Sequence, residues 1–452
     1  MLQNRINKRI VLFAVLVLAC ISFAIYSTYI LNIKSFYKGI HLDGHDLSEM
    51  SYQKARLLLH DRLRKNYEGK EFEIKYGNNS WKFDTKDISL QPDTDEALDH
   101  AFNIGRSGNV FNRLSQIISV RFNTIDIQPV LNYNTDKVKN LLETIKKQID
   151  QEEKNASITY KNGTILVEKD VIGRNMPVDK NLELIENRII DRQFGSMELY
   201  VEEKVPRITY NDIKDIQGVL SVFKTSFNPK DENRNHNIKL GCERLNSMIL
   251  MPNDIFSMNQ ALGPRTLENG YREAPVIFKN ELVPGTGGGV CQITSTLYNA
   301  VLLSKLDVLQ RTHHSWPLGY IDPGRDATIA EDYIDFKFQN STGAPIGINA
   351  EIAGNTLFIR ILGKIDEQKQ IVKLKSEVLE EYPAEGEEVV IDNSIPDNEK
   401  VISREAKKGL KVVVYRETYS KSGELIDKEK ISEDIYKPVK AQVKVNENYI
   451  KR

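Results

Sequence analysis

From Ile10 to Leu31 the chain runs without a single charged side chain, and this stretch limits its fold more than any other. A helix needs about 20 apolar residues to cross a bilayer, so the run is long enough to span one. Arg5, Lys8 and Arg9 precede it and Lys34 closes it. Basic residues on the entering side keep the N-terminus in the cytoplasm, which puts everything after Lys34 outside. Two rival readings use the same residues. A cleaved signal peptide would have a shorter apolar core and a better small-residue cleavage site than Ser22 and Ala24 offer. A lipoprotein signal at "VLAC", Val17 to Cys20, is opposed by the apolar residues that follow Cys20. The reading adopted is an uncleaved single-pass anchor over 1–34, in the cell membrane, with the rest of the chain facing outward.

The remaining length exceeds what one core can organise, and 40% hydrophobic residues suffice for several domains. Lys and Arg number 62 against 63 Asp and Glu. With no basic block to neutralise a phosphate backbone, nucleic acid is excluded as a partner. Of three cysteines, Cys20 falls in the anchor, leaving only Cys242 and Cys291 outside. That is no disulfide scaffold. An unpaired exported thiol is open to oxidation, so each needs burial or chemistry to explain it.

Periodicity gives the organisation. "YQKARLLLHDRL" spaces Ala55, Leu58, Leu59 and Leu63 as a helix, "FEIKYGNNSWKF" alternates like a hairpin turning at Gly77 and Asn78, and "TDEALDHAFNIGR" predicts a helix capped by Thr94. About 84 residues on, the order returns in "KVKNLLETIKKQI", "SITYKNGTILVE" and "VDKNLELIENRII", with Tyr160 in the place of Tyr76 and Leu182 in that of Leu98. Two α+β modules, 35–123 and 124–208, are expected. Pro206 marks a boundary; Ile213, Ile216, Val219, Leu220 and Phe223 then predict a helix face, and "NPKDENRNHN" from Asn228 to Asn237 predicts a loop. "DYIDFKFQN", "PIGINAEI" and "NTLFIRILG" read as strands, the last two joined at Gly354 and Asn355. After the charged connector "KIDEQKQ", "KVVVYRETYSKSGELIDKEKIS" predicts two strands turning at Ser422 and Gly423. The fold class is therefore multidomain α+β: an anchor, two small repeats, an α+β domain over 209–365 and an all-β module over 366–452.

The chemistry concentrates at "GTGGGVCQITSTLYNA", Gly285 to Ala300. A thiol of ordinary pKa is about 3% ionised at pH 7, and each unit of depression raises that roughly tenfold. Ile293, Leu297, Ala300 and Val301 predict a helix that starts near Cys291, putting the sulfur at the positive end of the dipole. Gly287, Gly288 and Gly289 lack Cβ atoms, so a substrate can approach, and their N–H groups can serve an oxyanion. Seven histidines are available as bases, and "RTHHSWPLGY" places His313 and His314 just beyond that helix. A Cys–His pair is the minimum for thioester chemistry. An inert core cysteine before a buried helix explains the same spacing. A phosphate loop lacks its Lys-Ser/Thr, and a zinc site lacks usual ligand spacing. No metal and no cofactor is expected.

Other residues have two readings each. Arg265 in "GPRT" serves as a bidentate clamp for a carboxylate or as a loop brace. Asp326 and Asp335 orient a histidine or cap turns. Gln292 donates to an oxyanion or caps the helix. Tyr298 and Asn299 pack or cap. Cys242 fills a helix contact, and Trp316 lines a groove or the core.

"FSMNQALGPRT", "NGYREAPVI", "GTGGGVCQITSTLYNA", "HHSWPLGYIDPGRDATI" and "DFKFQN", in this order, resemble the VanW family over roughly 210–365. The duplicated module, with "YQKARLLL" and "NIGRSGN", resembles the peptidoglycan-binding domain that precedes VanW or L,D-transpeptidase domains. The tail, about 370–446, is similar to the five-glycine module of wall-associated proteins, with Gly386, Gly409 and Gly423 present. The resemblance implies an L,D-transpeptidase that forms 3–3 cross-links through a thioester on Cys291. It implies His314, followed by Ser315, as the base in preference to His313. The partners it implies are peptidoglycan stem peptides and glycan. The rival from another class is a non-catalytic, membrane-anchored wall-binding scaffold linked to glycopeptide resistance. A peptidase or amidase differs from the transpeptidase only in passing the acyl group to water.

Overall fold

The computed structural model describes residues 2–278, 281–330, 333–365 and 370–450. The chain divides into two compact units: Met1–Glu152 with Ile172–Lys204, and Glu153–Val171 with Val205–Arg452. Helix and strand are mixed, as expected of a multidomain α+β chain.

Helix α1 (Leu2–Leu31) opens the first unit. From Lys8 it is long and apolar enough to cross a membrane, the one such helix among the described residues. Its last carbonyls have partners outside the helix. Tyr37 Oη donates to Ile30 O at 3.1 Å and Arg113 Nη2 to Leu31 O at 2.9 Å. Such partners satisfy the acceptors that a helix end leaves open.

Beyond it, α2 (Tyr52–Tyr67) buries Ala55, Leu59 and Leu63, and Ser51 caps it. Helix α3 (Thr94–Asn103) is capped by Asp93, one residue before the expected Thr94, because the Asp93 carboxylate accepts from Glu96 N at 3.0 Å. Helix α4 (Val110–Phe122) had no counterpart in the sequence reading. These helices close a core with Phe36, Ile40, Leu42, Leu98, Ile117 and Val120.

The hairpin Glu71–Tyr76 with Asn79–Asp84 forms as expected, turning at Gly77 in the left-handed region (φ 56). Its packing crosses the expected module limits. Phe72, Ile74 and Phe83 join Leu142, Ile145, Ile185 and Ile189 of α5 (Thr135–Ile149) and α6 (Val178–Ile190), and Gly195–Glu198 adds a parallel strand. The second hairpin, Ser157–Lys161 with Thr164–Glu168, belongs to the second unit, where Ile158 packs with Ile208, Ile213, Ile216 and Leu362. A lone two-stranded hairpin cannot bury its own apolar face. Each hairpin settles on the apolar surface that follows it in the chain.

In the second unit the expected helix through Phe223 is instead a short α7 (Tyr210–Ile213) followed by the strand Gly218–Ser226. Val219, Leu220 and Phe223 fit either period, and pairing with Thr356–Gly363 decides for strand. Ile346–Ala353 and Met248–Leu250 complete an antiparallel four-stranded sheet, whose hairpin turns at Gly354 and Asn355 as expected. The polar stretch expected as a loop holds the first turns of α8 (Glu232–Leu245). Then come α9 (Met258–Leu262), the hairpin Glu273–Phe278 with Glu281–Thr286, and α10 (Val290–Leu303), whose Ile293, Leu297, Ala300 and Val301 are fully buried in the unit's core. The all-β tail pairs Ile371–Tyr382, Gly409–Tyr419 and Leu425–Tyr436, with a second sheet of Glu387–Ile391, Ala441–Val445 and Lys400–Arg404. The connector "KIDEQKQ" lies partly outside the described residues.

Candidate functional site

Gly289, with φ at 112, caps the start of α10, so Cys291 stands in its first turn. The sulfur is half-buried and approaches Thr328 Oγ1 at 3.5 Å and Ile329 O at 3.8 Å. His314 is buried and its Nδ1 meets Asp326 Oδ2 at 2.6 Å, while its backbone N–H donates to the same oxygen at 2.6 Å. Nδ1 is thereby taken, and the ring and the Cys291 sulfur act on each other's ionisation. Asp326 is 1% exposed; Tyr436 Oη donates to its Oδ1, and Arg311 Nη2 lies 3.5 Å from the same atom.

These contacts set the ionisation. Burial pushes the Cys291 thiol up, but the His314 hydrogen bond and charge, with Thr328 and Ile329, bring it down to about 7. Burial pulls the His314 imidazole down, and Asp326 and the Cys291 sulfur outweigh it, raising the ring to about 9. Burial raises the Asp326 carboxyl, and His314 and Tyr436 hold it at about 2. Each group thus favours the charged form of the other, and the titration belongs to the pair.

The other candidates divide sharply. His313 turns away: its Nδ1 meets His314 O at 2.6 Å and its ring lies edge-on to Tyr436. Ser315 is exposed. Gln292 is buried and its amide is spent, accepting from Arg234 Nη2 at 2.7 Å and donating to Thr225 Oγ1 and Ser226 O. It therefore faces the protein interior, away from any oxyanion position. Arg265 braces a loop through Asn259 Oδ1 at 2.9 Å and lies over Gly287. Asp335 holds the start of α9 through Ser257 Oγ and Asn259 N. Asn299 and Tyr298 pack inside, and Cys242 is buried, which pushes its thiol up to about 12. Trp316 is buried under Lys407 of the tail, whose Nζ sits 4.1 Å from the ring.

The glycines have a different reason from the expected one. A Cβ on Gly288 would meet Ala274 and Pro275 backbone atoms at 2.6–2.8 Å, and one on Gly287 or Gly289 would press on Arg265 or Arg234. On the side where a Cβ would stand, the chain itself fills the space. The Gly287 N–H donates to Arg272 O at 3.1 Å, so it is not available to an oxyanion. Asn237 fixes the loop by donating to Arg272 O and Gly288 O and accepting from Arg272 N.

Four contributors were missed. Thr328 stands two residues after Asp326 and had a local signal in "DATI". Tyr320 has its hydroxyl pushed up by burial and by the Cys291 charge. Arg311 and Tyr436 had none, since what makes Tyr436 relevant is a contact spanning 110 residues of sequence. Among the described residues no His, Cys, Asp and Glu group is arranged to hold a metal.

Comparison with known proteins agrees with the motifs. Residues 233–362 match the family described as "VanW like protein", 81–197 that described as "Putative peptidoglycan binding domain", and 375–447 the "G5 domain". Over 142 residues the chain is 42% identical to the uncharacterized protein YoaR of Bacillus subtilis, covering 31% of this chain and 47% of that one. Over 144 residues it is 28% identical to the vancomycin B-type resistance protein VanW of Enterococcus faecalis, covering 31% and 51%. The matched segment spans about half the length of these curated relatives. Among solved structures it is similar to HP0197-G5, 23% identical over 17% of this chain and 99% of that one, with a TM-score of 0.11. The chain thus carries a VanW-like domain, with a match to a peptidoglycan-binding domain ahead of it and a G5 domain behind it.

Proposed function

We propose that this chain is a cysteine-dependent L,D-transpeptidase of the cell wall, held to the outer face of the membrane by α1. The domain matches support a wall-related role, and one observation carries the catalytic reading: Cys291 stands in the first turn of α10, and the imidazole that favours its thiolate, His314, is held at Nδ1 by Asp326 at 2.6 Å. The Cys291 thiolate attacks the carbonyl of the third residue of a donor tetrapeptide stem. The carbonyl oxygen becomes an oxyanion, served by the Gly288 and Gly289 amides at the positive end of α10. As the intermediate collapses, the peptide C–N bond breaks, the His314 imidazolium gives its proton to the leaving D-alanine amine, and a thioester remains. A side-chain amine of a neighbouring stem then attacks the thioester carbonyl and passes a proton to neutral His314. The C–S bond breaks, the cross-link forms and the ion pair is restored. Asp326 accepts from Nδ1 throughout and keeps Nε2 aimed at the sulfur.

The test incubates purified protein with tetrapeptide muropeptides. The native chain yields a 3–3 dimer and Cys291→Ala yields none. Shortened monomer without dimer would move the reading to a hydrolase. Neither product, with no acyl adduct on Cys291 by intact mass, would leave the wall-binding scaffold.

A further inference from the structure

Helix α4 carries apolar residues on two opposite faces. Ile117 and Val120 enter the core. On the other side Phe111, Ile118 and Phe122 are 82%, 53% and 79% exposed, and the partly exposed Leu114 shares their stripe at helical spacing. A contiguous apolar stripe of this kind marks a surface that something else covers.

What covers it follows from what α4 is fastened to. Arg113, in its first half, donates to Leu31 O at the end of α1, and Arg121, near its last turn, reaches Tyr26 Oη at 3.4 Å. Five residues of helix rise about 7.5 Å, so α4 runs from the outer end of α1 back toward the apolar span. Tyr37 and Arg106, which donates to Ile33 O and Ser35 O, fix the same joint. Tyr26 and Tyr29 of α1 are exposed at this level, where interfacial aromatics belong. Interfacial helices bury their apolar face about 5–10 Å into the headgroup boundary, which is of the same order as the rise of about 7.5 Å between Tyr26 and Leu31 along α1.

We infer that α4 is a membrane-surface helix whose Phe111, Ile118 and Phe122 enter the lipid interface of the bilayer that α1 crosses. The inference rests on the reading of α1 as a span and is independent of the chemistry at Cys291. Arg121 flanks the stripe, so anionic headgroups add to the attraction.

The test places the full-length chain in vesicles of phosphatidylglycerol and phosphatidylethanolamine and reads the tryptophan emission that each variant adds to the parent. Ile118→Trp reports on α4, Phe13→Trp on the bilayer centre, and Leu57→Trp, at a site 84% exposed on α2, on water. Expected are a blue-shifted Ile118→Trp emission, quenched by doxyl groups near the headgroup and shielded from acrylamide, and an acrylamide-quenched Leu57→Trp. If Ile118→Trp behaves like Leu57→Trp while Phe13→Trp is quenched by deep doxyl groups, the span stands and the α4 proposal falls. Shielding of Ile118→Trp from both quenchers would mean a second copy of the chain covers the stripe, which also overturns it. A Phe13→Trp open to acrylamide would remove the span and the proposal together.

Discussion

Cys291 and His314 hold each other's charge, and that coupling decides how the site responds to pH. The thiol is lowered to about 7 and the imidazole raised to about 9. On the proposed chemistry, below the first value the sulfur gains a proton and the nucleophile is lost, and above the second the ring loses the proton that a leaving amine needs. Activity should therefore plateau between about pH 7 and 9, with a thiol limb on the acid side and an imidazole limb on the alkaline side. Alkylation by iodoacetamide isolates the first limb, because it needs only the thiolate. In native protein its rate should rise through about pH 7. In His314→Gln the midpoint should move up, with a reaction at pH 7 about fivefold slower for the first unit moved and about tenfold slower for each further unit. An unchanged midpoint would mean that His314 does not set the thiol. Cys291, His314 and Asp326 were legible in the sequence because one glycine turn, one helix and one return loop carry all three. Gln292 was not, since a polar residue beside a reactive one reads as a participant until its three partners are seen.

The start of α10 works as an element because the strand Glu273–Phe278 lies directly against it. Gly288→Ala would drive a methyl into the Ala274 and Pro275 backbone, which has no side-chain freedom to give way. Overpacking of this kind costs about 1–3 kcal/mol, expected as a lower urea midpoint, and alkylation of Cys291 should lose its pH 7 midpoint as the turn shifts. Retention of both would show that the turn has room after all. At this scale the sequence was legible wherever apolar residues kept one clean period, as in α2, α5, α6 and the strands Ile346–Ala353 and Thr356–Gly363. It failed where two periods fit, at Gly218–Ser226, and where a buried face is polar. Helix α8 read as a loop because its early contacts are made by Arg234 and Asn237. Helix α4 escaped notice because apolar residues on two sides blur any single face.

Within the second unit the tail is seated on the VanW-like domain rather than tethered to it. Arg311, 8% exposed, pairs with Asp434 of the strand Leu425–Tyr436 at 2.6 Å, and Gly324 packs against Val412 and Val414. Gly324 N donates to Tyr436 Oη, which in turn donates to Asp326. Breaking one partner of a buried ion pair costs about 3–5 kcal/mol, so Asp434→Ala should unfold at markedly lower urea. Tail and VanW-like domain should melt in one transition, and two separate transitions in native protein would refute the seating. None of this was legible, because the tail read as a separate all-β module and nothing in its alternation announces a partner. Ribosomes deliver residues in order, and Tyr436 is made long after Cys291. A half-finished polypeptide therefore holds Asp326 without the phenol that donates to it, and that contact can form only when synthesis has passed the tyrosine.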